Sequence, residues 1–198
     1  MLKLDLKHNV LRPFFLSVIL LALVPLLAGT ANLDQNSSAV PLEMFVALLG
    51  IVMLTPVFQP EQDRDISDLI FSKFMDPVRI WLARILCSLV LLAVLISLFS
   101  GYMALRGCDI TMRLVSWTLA DAIFLGSLGM AASALCNNTV TGYMIPLVYY
   151  AVNYGAGNKL GNFYLFSMTA GSYSPKIWML SAGLLSAAGA LIIRRLRR

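Results

Sequence analysis

The chain has 198 residues, of which 59% are apolar and only 13% charged. A soluble domain is about 45–50% apolar and about 25% charged, so these side chains cannot cover a globule in water, and a soluble enzyme is excluded. The balance of 15 Lys+Arg against 10 Asp+Glu gives a net charge of +5. No aromatic-basic interleaving or recognition motif accompanies it, so nucleic acid is not the expected partner.

A membrane crossing needs about 20 predominantly apolar residues. Six segments meet or approach that length, at about 12–29, 41–59, 79–103, 113–135, 140–156 and 176–193. They predict an all-α polytopic protein with 1–198 forming a single transmembrane domain. The first apolar stretch, Pro13 to Ala28, is longer than a signal-peptide core and has no A-x-A-like site after it, so it reads as a retained helix. Ahead of it, Leu2, Leu6 and Val10 share one face of a short amphipathic helix.

Lys and Arg assign the sides. One set of connections holds Lys3, Lys7, Arg12, Arg64, Lys73, Arg79, Arg84, Arg194, Arg195, Arg197 and Arg198; the other holds Arg106, Arg113, Lys159 and Lys176. The positive-inside rule puts the richer set, and both termini, in the cytoplasm. Location in the cell membrane follows as the expectation.

The connection from Pro60 to Pro77 is the most informative. Pro60 and the acids Glu61, Asp63 and Asp65 suit a helix start. Ile66, Leu69, Ile70 and Phe74 then make one apolar face opposite Arg64, Asp65, Asp68 and Ser72. This predicts a short amphipathic helix over about 61–75, lying along the cytoplasmic face, with Asp76-Pro77 starting the next helix. Helices that rest on lipid carry a basic polar face, whereas this segment has five acids, Glu61, Asp63, Asp65, Asp68 and Asp76, and only Arg64 and Lys73 as bases. A protein partner suits it better than lipid. Arg79 and Arg84 are expected to snorkel to the headgroups.

Farther along, Asp121 lies well inside the fourth span. A carboxylate there faces the bundle interior, takes a proton or pairs with a base. In the fifth span Tyr143, Tyr150, Asn153 and Tyr154 share a face, either as an amphipathic wall for a substrate or as tyrosines selected by the membrane interface. Pro25, Pro56 and Pro146 are expected to kink or break their spans. Residues 157–175 are too apolar for a free loop and too interrupted by Gly157, Gly161, Gly171 and Pro175 for a span. They read either as a re-entrant or interfacial segment, with Phe163, Tyr164, Phe166 and Tyr173 at the membrane surface, or as frayed helix. The sole histidine is His8, near the terminus, which disfavours His-dependent proteolysis and a His-ligated metal site.

The run Glu61-x-Asp-Arg-Asp-Ile-x-Asp-Leu-Ile-Phe-Ser-Lys73, followed by Ile80-Trp-Leu-Ala-Arg84-Ile-Leu, resembles the first cytoplasmic loop of ABC-2 type permeases, the membrane subunits of a class of ATP-binding-cassette exporters. In that family an acidic residue opens a coupling helix between spans two and three, and a Ser-Lys turn leads to a basic residue in span three; Ser72, Lys73 and Arg84 match, while Phe74 and Pro77 depart from the usual pattern. The motif is confined to about 60–86.

The resemblance implies a coupling helix with Glu61, Asp63, Arg64, Asp65, Ile66, Asp68, Leu69, Ile70, Lys73 and Phe74 facing a separate cytoplasmic ABC ATPase subunit. It also implies pairing with a second permease chain, identical or different, and a path for a hydrophobic, peptide or lipid-like substrate, for which Asp121, Tyr143, Tyr150 and Asn153 are candidates. No catalytic residue and no cofactor is expected in this chain, which has no G-x-x-x-x-G-K-[ST] phosphate loop; ATP and Mg would belong to the ATPase. The alternative is a non-transporting scaffold or assembly factor that recruits a soluble partner through the same cytoplasmic helix.

Overall fold

The computed structural model describes residues 2–62 and 77–196. The described residues are all-helical. In chain order they form α1 (Leu2–Ala28), α2 (Gln35–Met44), α3 (Leu49–Leu54), α4 (Pro77–Leu105), α5 (Met112–Cys136), α6 (Thr139–Ala156) and α7 (Ser174–Leu196), with 3-10 turns at Val46–Leu48, Thr55–Phe58, Pro60–Gln62 and Gly157–Phe163.

Among the described residues five stretches are long and apolar enough to cross a membrane: Asn9–Ala28, Gln35–Gln62, Val78–Leu105, Met112–Cys136 and Ser174–Leu196. The sixth expected span, α6, is a helix of 18 residues but is not among them, because Tyr143, Tyr149, Tyr150, Asn153 and Tyr154 lower its hydropathy.

The connections gather at two ends. At one, the Asn32 N–H donates to the Arg106 carbonyl (3.1 Å), the Asp109 N–H donates to the Leu33 carbonyl (2.9 Å) and Gln35 bonds Tyr173 (3.3 Å). At the other, Gln62 bonds Thr139 and Ser133, and Arg194 bonds Asn137. Asn137 takes a left-handed conformation (φ 50°) and the Asn138 side chain accepts from the Val140 N–H (2.8 Å), so two residues turn α5 directly into α6.

The second crossing departs most from expectation. Its helix begins at Gln35, not near 41, taking in residues expected in an outer loop; Ser38 and Ala39 are buried there, and the Ser38 hydroxyl bonds the Leu33 carbonyl (3.2 Å). It is then broken twice by 3-10 turns, the second containing Pro56. Pro25 and Pro146, by contrast, lie within continuous helices, and the expected amphipathic N-terminal helix runs without interruption into α1.

The broken second crossing and α5 form the centre: 72% and 67% of their apolar windows are buried, against 17% for the first crossing. Leu26 and Leu185, on α1 and α7, are 80% and 74% exposed, as suits faces turned to lipid. Small residues allow the central helices to touch. A Cβ at Gly50 would stand 1.8 Å from the Ala122 carbonyl oxygen, and one at Gly126 would stand 2.4 Å from the Gly50 carbonyl oxygen. Gly129 and Gly142 repeat the close approach between α5 and α6. Association in lipid rests on such packing and on internal polar bonds.

Residues 164–173 fold inward. Leu165, Phe166, Ser167 and Met168 are buried, and Leu165 and Phe166 pack with Ile51, Phe124, Leu125 and Met179. Irregular backbone is tolerated where protein surrounds it, and the segment packs into the bundle as turns rather than as frayed helix. Phe166 meets Tyr150, Tyr154 and Tyr164 edge-on inside the bundle and is not an interfacial anchor.

Candidate functional site

Among the described residues two buried ion clusters organise the bundle, one near each end. The first contains Asp121, the carboxylate that the sequence left in need of a partner. It lies nine residues into α5, about 14 Å along the helix axis, and is fully buried. Lys176, two residues into α7, brings Nζ to 2.6 Å from Asp121 Oδ2 and to 2.6 Å from Glu43 Oε1 on α2, and also donates to the Leu165 carbonyl. Glu43 accepts from the Met168 N–H (2.9 Å) and the Thr169 N–H (3.1 Å).

The cluster therefore joins α2, α5 and the start of α7, and pins the inward-folded backbone of 165–169 through three of its peptide groups. Those groups have no helical partner, and unpaired they would each cost several kcal/mol at membrane depth. Lys176, assigned from sequence to an outer connection, is in fact interior. Charge demands this: a carboxylate inside the bundle draws in the base that begins the last helix.

The remaining candidates for a substrate path serve the same segment. Asn153 is buried; its Oδ1 accepts from the Leu165 N–H (2.8 Å) and its Nδ2 donates to the Tyr149 carbonyl (3.1 Å). The Tyr150 hydroxyl donates to the Met44 carbonyl (2.8 Å), one residue from Glu43. Tyr143 packs at the margin of the same apolar cluster. In this chain Asp121, Tyr150 and Asn153 are thus tied to internal partners.

The second cluster lies at the other end of the second helical stretch, at Glu61 and Gln62, the last described residues before 63–76. Glu61 is buried and its Oε1 lies 2.7 Å from Arg84 Nη1, which also donates to the Val57 carbonyl (3.0 Å). Arg84 is 1% exposed, so it does not reach the headgroups; a carboxylate within the bundle offers the guanidinium a better partner than snorkelling does. Arg79 is exposed. The Arg194 guanidinium donates to the Glu61 carbonyl (2.8 Å) and to Asn137 Oδ1. Gln62 donates to the Ser133 hydroxyl (3.0 Å) and accepts from the Thr139 N–H (3.0 Å) and hydroxyl (2.7 Å).

Of the residues proposed to face a partner ATPase, only Glu61 falls among the described residues, and it faces inward. Asp63, Arg64, Asp65, Ile66, Asp68, Leu69, Ile70, Lys73 and Phe74, with the rest of the helix expected over about 61–75, lie outside them. Glu43 was missed from sequence, although a lone carboxylate in the run Pro41-Leu-Glu-Met-Phe-Val was a signal for it. Comparison of the chain with protein-family models, with curated proteins and with solved structures finds no match.

Proposed function

We propose that the chain is the membrane-spanning permease subunit of an ATP-driven exporter of the ABC-2 type. The observation that carries this reading is the fastening of the acidic loop to the bundle at its point of departure. Glu61 is bound to α4 through Arg84, Gln62 to the α5–α6 junction, and the Glu61 carbonyl to the end of α7 through Arg194. A displacement of residues 63–76 would thereby be handed to four helices at once, α4, α5, α6 and α7, as a coupling element requires.

In this reading α6 supplies the sixth crossing, both termini face the cytoplasm and the chain resides in the cell membrane. Asp63, Asp65 and Asp68 meet a basic groove on a separate ATPase, which binds ATP and Mg; this chain holds neither and is not itself an enzyme. Two permease chains pair to enclose a path for a hydrophobic, peptide or lipid-like substrate. Glu43, Asp121, Asn153 and Lys176 shape that path by fixing the re-entrant wall.

The test is purification of the tagged full chain from its native membrane in mild detergent, followed by identification of stoichiometric partners and assay of ATP hydrolysis. An ABC ATPase is expected to co-purify, and Asp63→Lys with Asp65→Lys is expected to release it while leaving the chain inserted. Absence of an ATPase, or its undiminished association with the reversed variant, would overturn the reading; a stoichiometric partner without ATPase activity would favour the scaffold.

A further inference from the structure

Glu43, Asp121 and Lys176 are fully buried and set two carboxyl groups against one ammonium. Their bonding distinguishes the three. Lys176 Nζ has three donors and three acceptors within reach, Glu43 Oε1, Asp121 Oδ2 and the Leu165 carbonyl, as befits a charged ammonium. Glu43 accepts at both oxygens, from Lys176, the Met168 N–H and the Thr169 N–H, as befits a carboxylate.

Asp121 differs. Its Oδ2 accepts from Lys176 alone, and its buried Oδ1 has no hydrogen-bond partner among the described residues. The groups that bear on it electrostatically are Lys176 from α7 and Glu43 from α2, with Tyr149 on α6 within reach of its charge but bonded to the Phe163 carbonyl. None adds a second positive charge. Were Asp121 ionised, the cluster would carry a net negative charge at membrane depth, with one carboxylate oxygen unsolvated, at a cost of several kcal/mol.

We propose that the Glu43–Lys176–Asp121 cluster is a proton-binding site that holds one exchangeable proton on Asp121 Oδ1. The ligand is a hydrogen ion taken from and returned to water, and the O–H bond is the only one made or broken. With it bound, ammonium, carboxylate and carboxylic acid sum to zero charge. Its release would set a second anion against the Lys176 ammonium, in competition with Glu43 and the Leu165 carbonyl, and so would loosen residues 165–169. Occupancy of the site and docking of the inward-folded segment are thus linked. The proposal goes beyond the exporter reading and does not depend on it, since its test needs no ATPase.

The test is infrared spectroscopy of the purified full chain in detergent at neutral pH. The C=O stretch of a protonated carboxylic acid is expected, shifted on transfer to D2O. Carbon-13 labelling of aspartate should move that band, and labelling of glutamate should leave it in place; this arm uses the unmutated protein and survives any misfolding of variants. Counting charges gives a second arm: Asp121→Asn and Glu43→Gln should each abolish the band, because one carboxylate then balances Lys176, whereas Lys176→Met should roughly double it. Absence of the band in the unmutated protein, movement of the band by labelled glutamate, or its persistence in Asp121→Asn would each overturn the proposal.

Discussion

Arg84 Nη1 and Glu61 Oε1 stand 2.7 Å apart, with Glu61 two residues before the acidic stretch that begins at Asp63, and neither side chain is open to solvent. Burial of an ion pair is costly in itself, but removal of one partner is worse, because the other charge is left unpaired. Glu61→Gln and Arg84→Met are each expected to destabilise the protein by about 3–5 kcal/mol. The double variant Glu61→Met with Arg84→Met removes both charges and should lose less than either single change. Thermal unfolding in detergent, followed by helicity, reads this directly; additive losses would show that the two groups do not act as a pair.

The close approach of α3 and α5 makes a second prediction. Since a Cβ on Gly50 meets the Ala122 carbonyl oxygen at 1.8 Å, backbone rather than a flexible side chain must give way. Gly50→Ala should cost at least the usual overpacking penalty of about 1–3 kcal/mol. Gly189, on α7, has nothing within 4 Å of its Cβ position. Gly189→Ala should therefore be neutral or raise stability by about 0.5–1 kcal/mol through helix propensity. Equal melting temperatures for the two variants would exclude the close contact.

Most of the long helices were legible in sequence as apolar runs of membrane length, and α4, α5 and α6 lie within two residues of their expected bounds, although the tyrosines of α6 make it the least apolar of them. The inward fold of 164–173 was foreshadowed by its mixture of aromatic residues with Gly157, Gly161, Gly171 and Pro175. What could not be read was which charges meet. Lys176 and Asp121 are 55 positions apart and Arg84 and Glu61 are 23 apart, and local periodicity says nothing about contacts at that range. Lys176 looked like an outer-loop base because position along a span indicates depth only for a straight helix that faces lipid. The break in the second crossing was half visible at Pro56, but Val46–Leu48 has no Gly or Pro to mark it. There the packing of Val46 and Ala47, both fully buried, overrides local sequence preference.

Gln62 makes three bonds to the α5–α6 junction through one amide, donating to Ser133 and accepting twice from Thr139. Gln62→Glu keeps the acceptors but replaces the N–H2 donor with an anion, and should weaken the junction; Gln62→Ala removes all three bonds. At about 0.5–1.5 kcal/mol for each net hydrogen bond, the alanine variant should lose roughly 2–4 kcal/mol, and Thr139→Val should reproduce part of that loss. Limited proteolysis between Cys136 and Val140 is the local readout. Unaltered cleavage in Gln62→Ala would show that Gln62 does not brace the turn.

Asn153 offers the most selective way to loosen the inward-folded segment 164–169 without disturbing its charges. Its Oδ1 is the acceptor for the Leu165 N–H at 2.8 Å, within an apolar cluster that leaves that donor no water. Asn153→Ala should strand the Leu165 N–H at a cost of about 1–3 kcal/mol and enlarge the space beside Phe166. Asn153→Asp retains an acceptor for Leu165 but loses the bond to the Tyr149 carbonyl and introduces a further carboxyl group into a region already rich in them. Hydrogen exchange at residues 164–169 should rise by roughly five- to a hundredfold in Asn153→Ala, following that free-energy cost, while exchange at the α5–α6 junction stays unchanged. An equal rise at both ends of the bundle would mean that the substitution destabilises the whole fold, and that Asn153 has no particular hold on the segment.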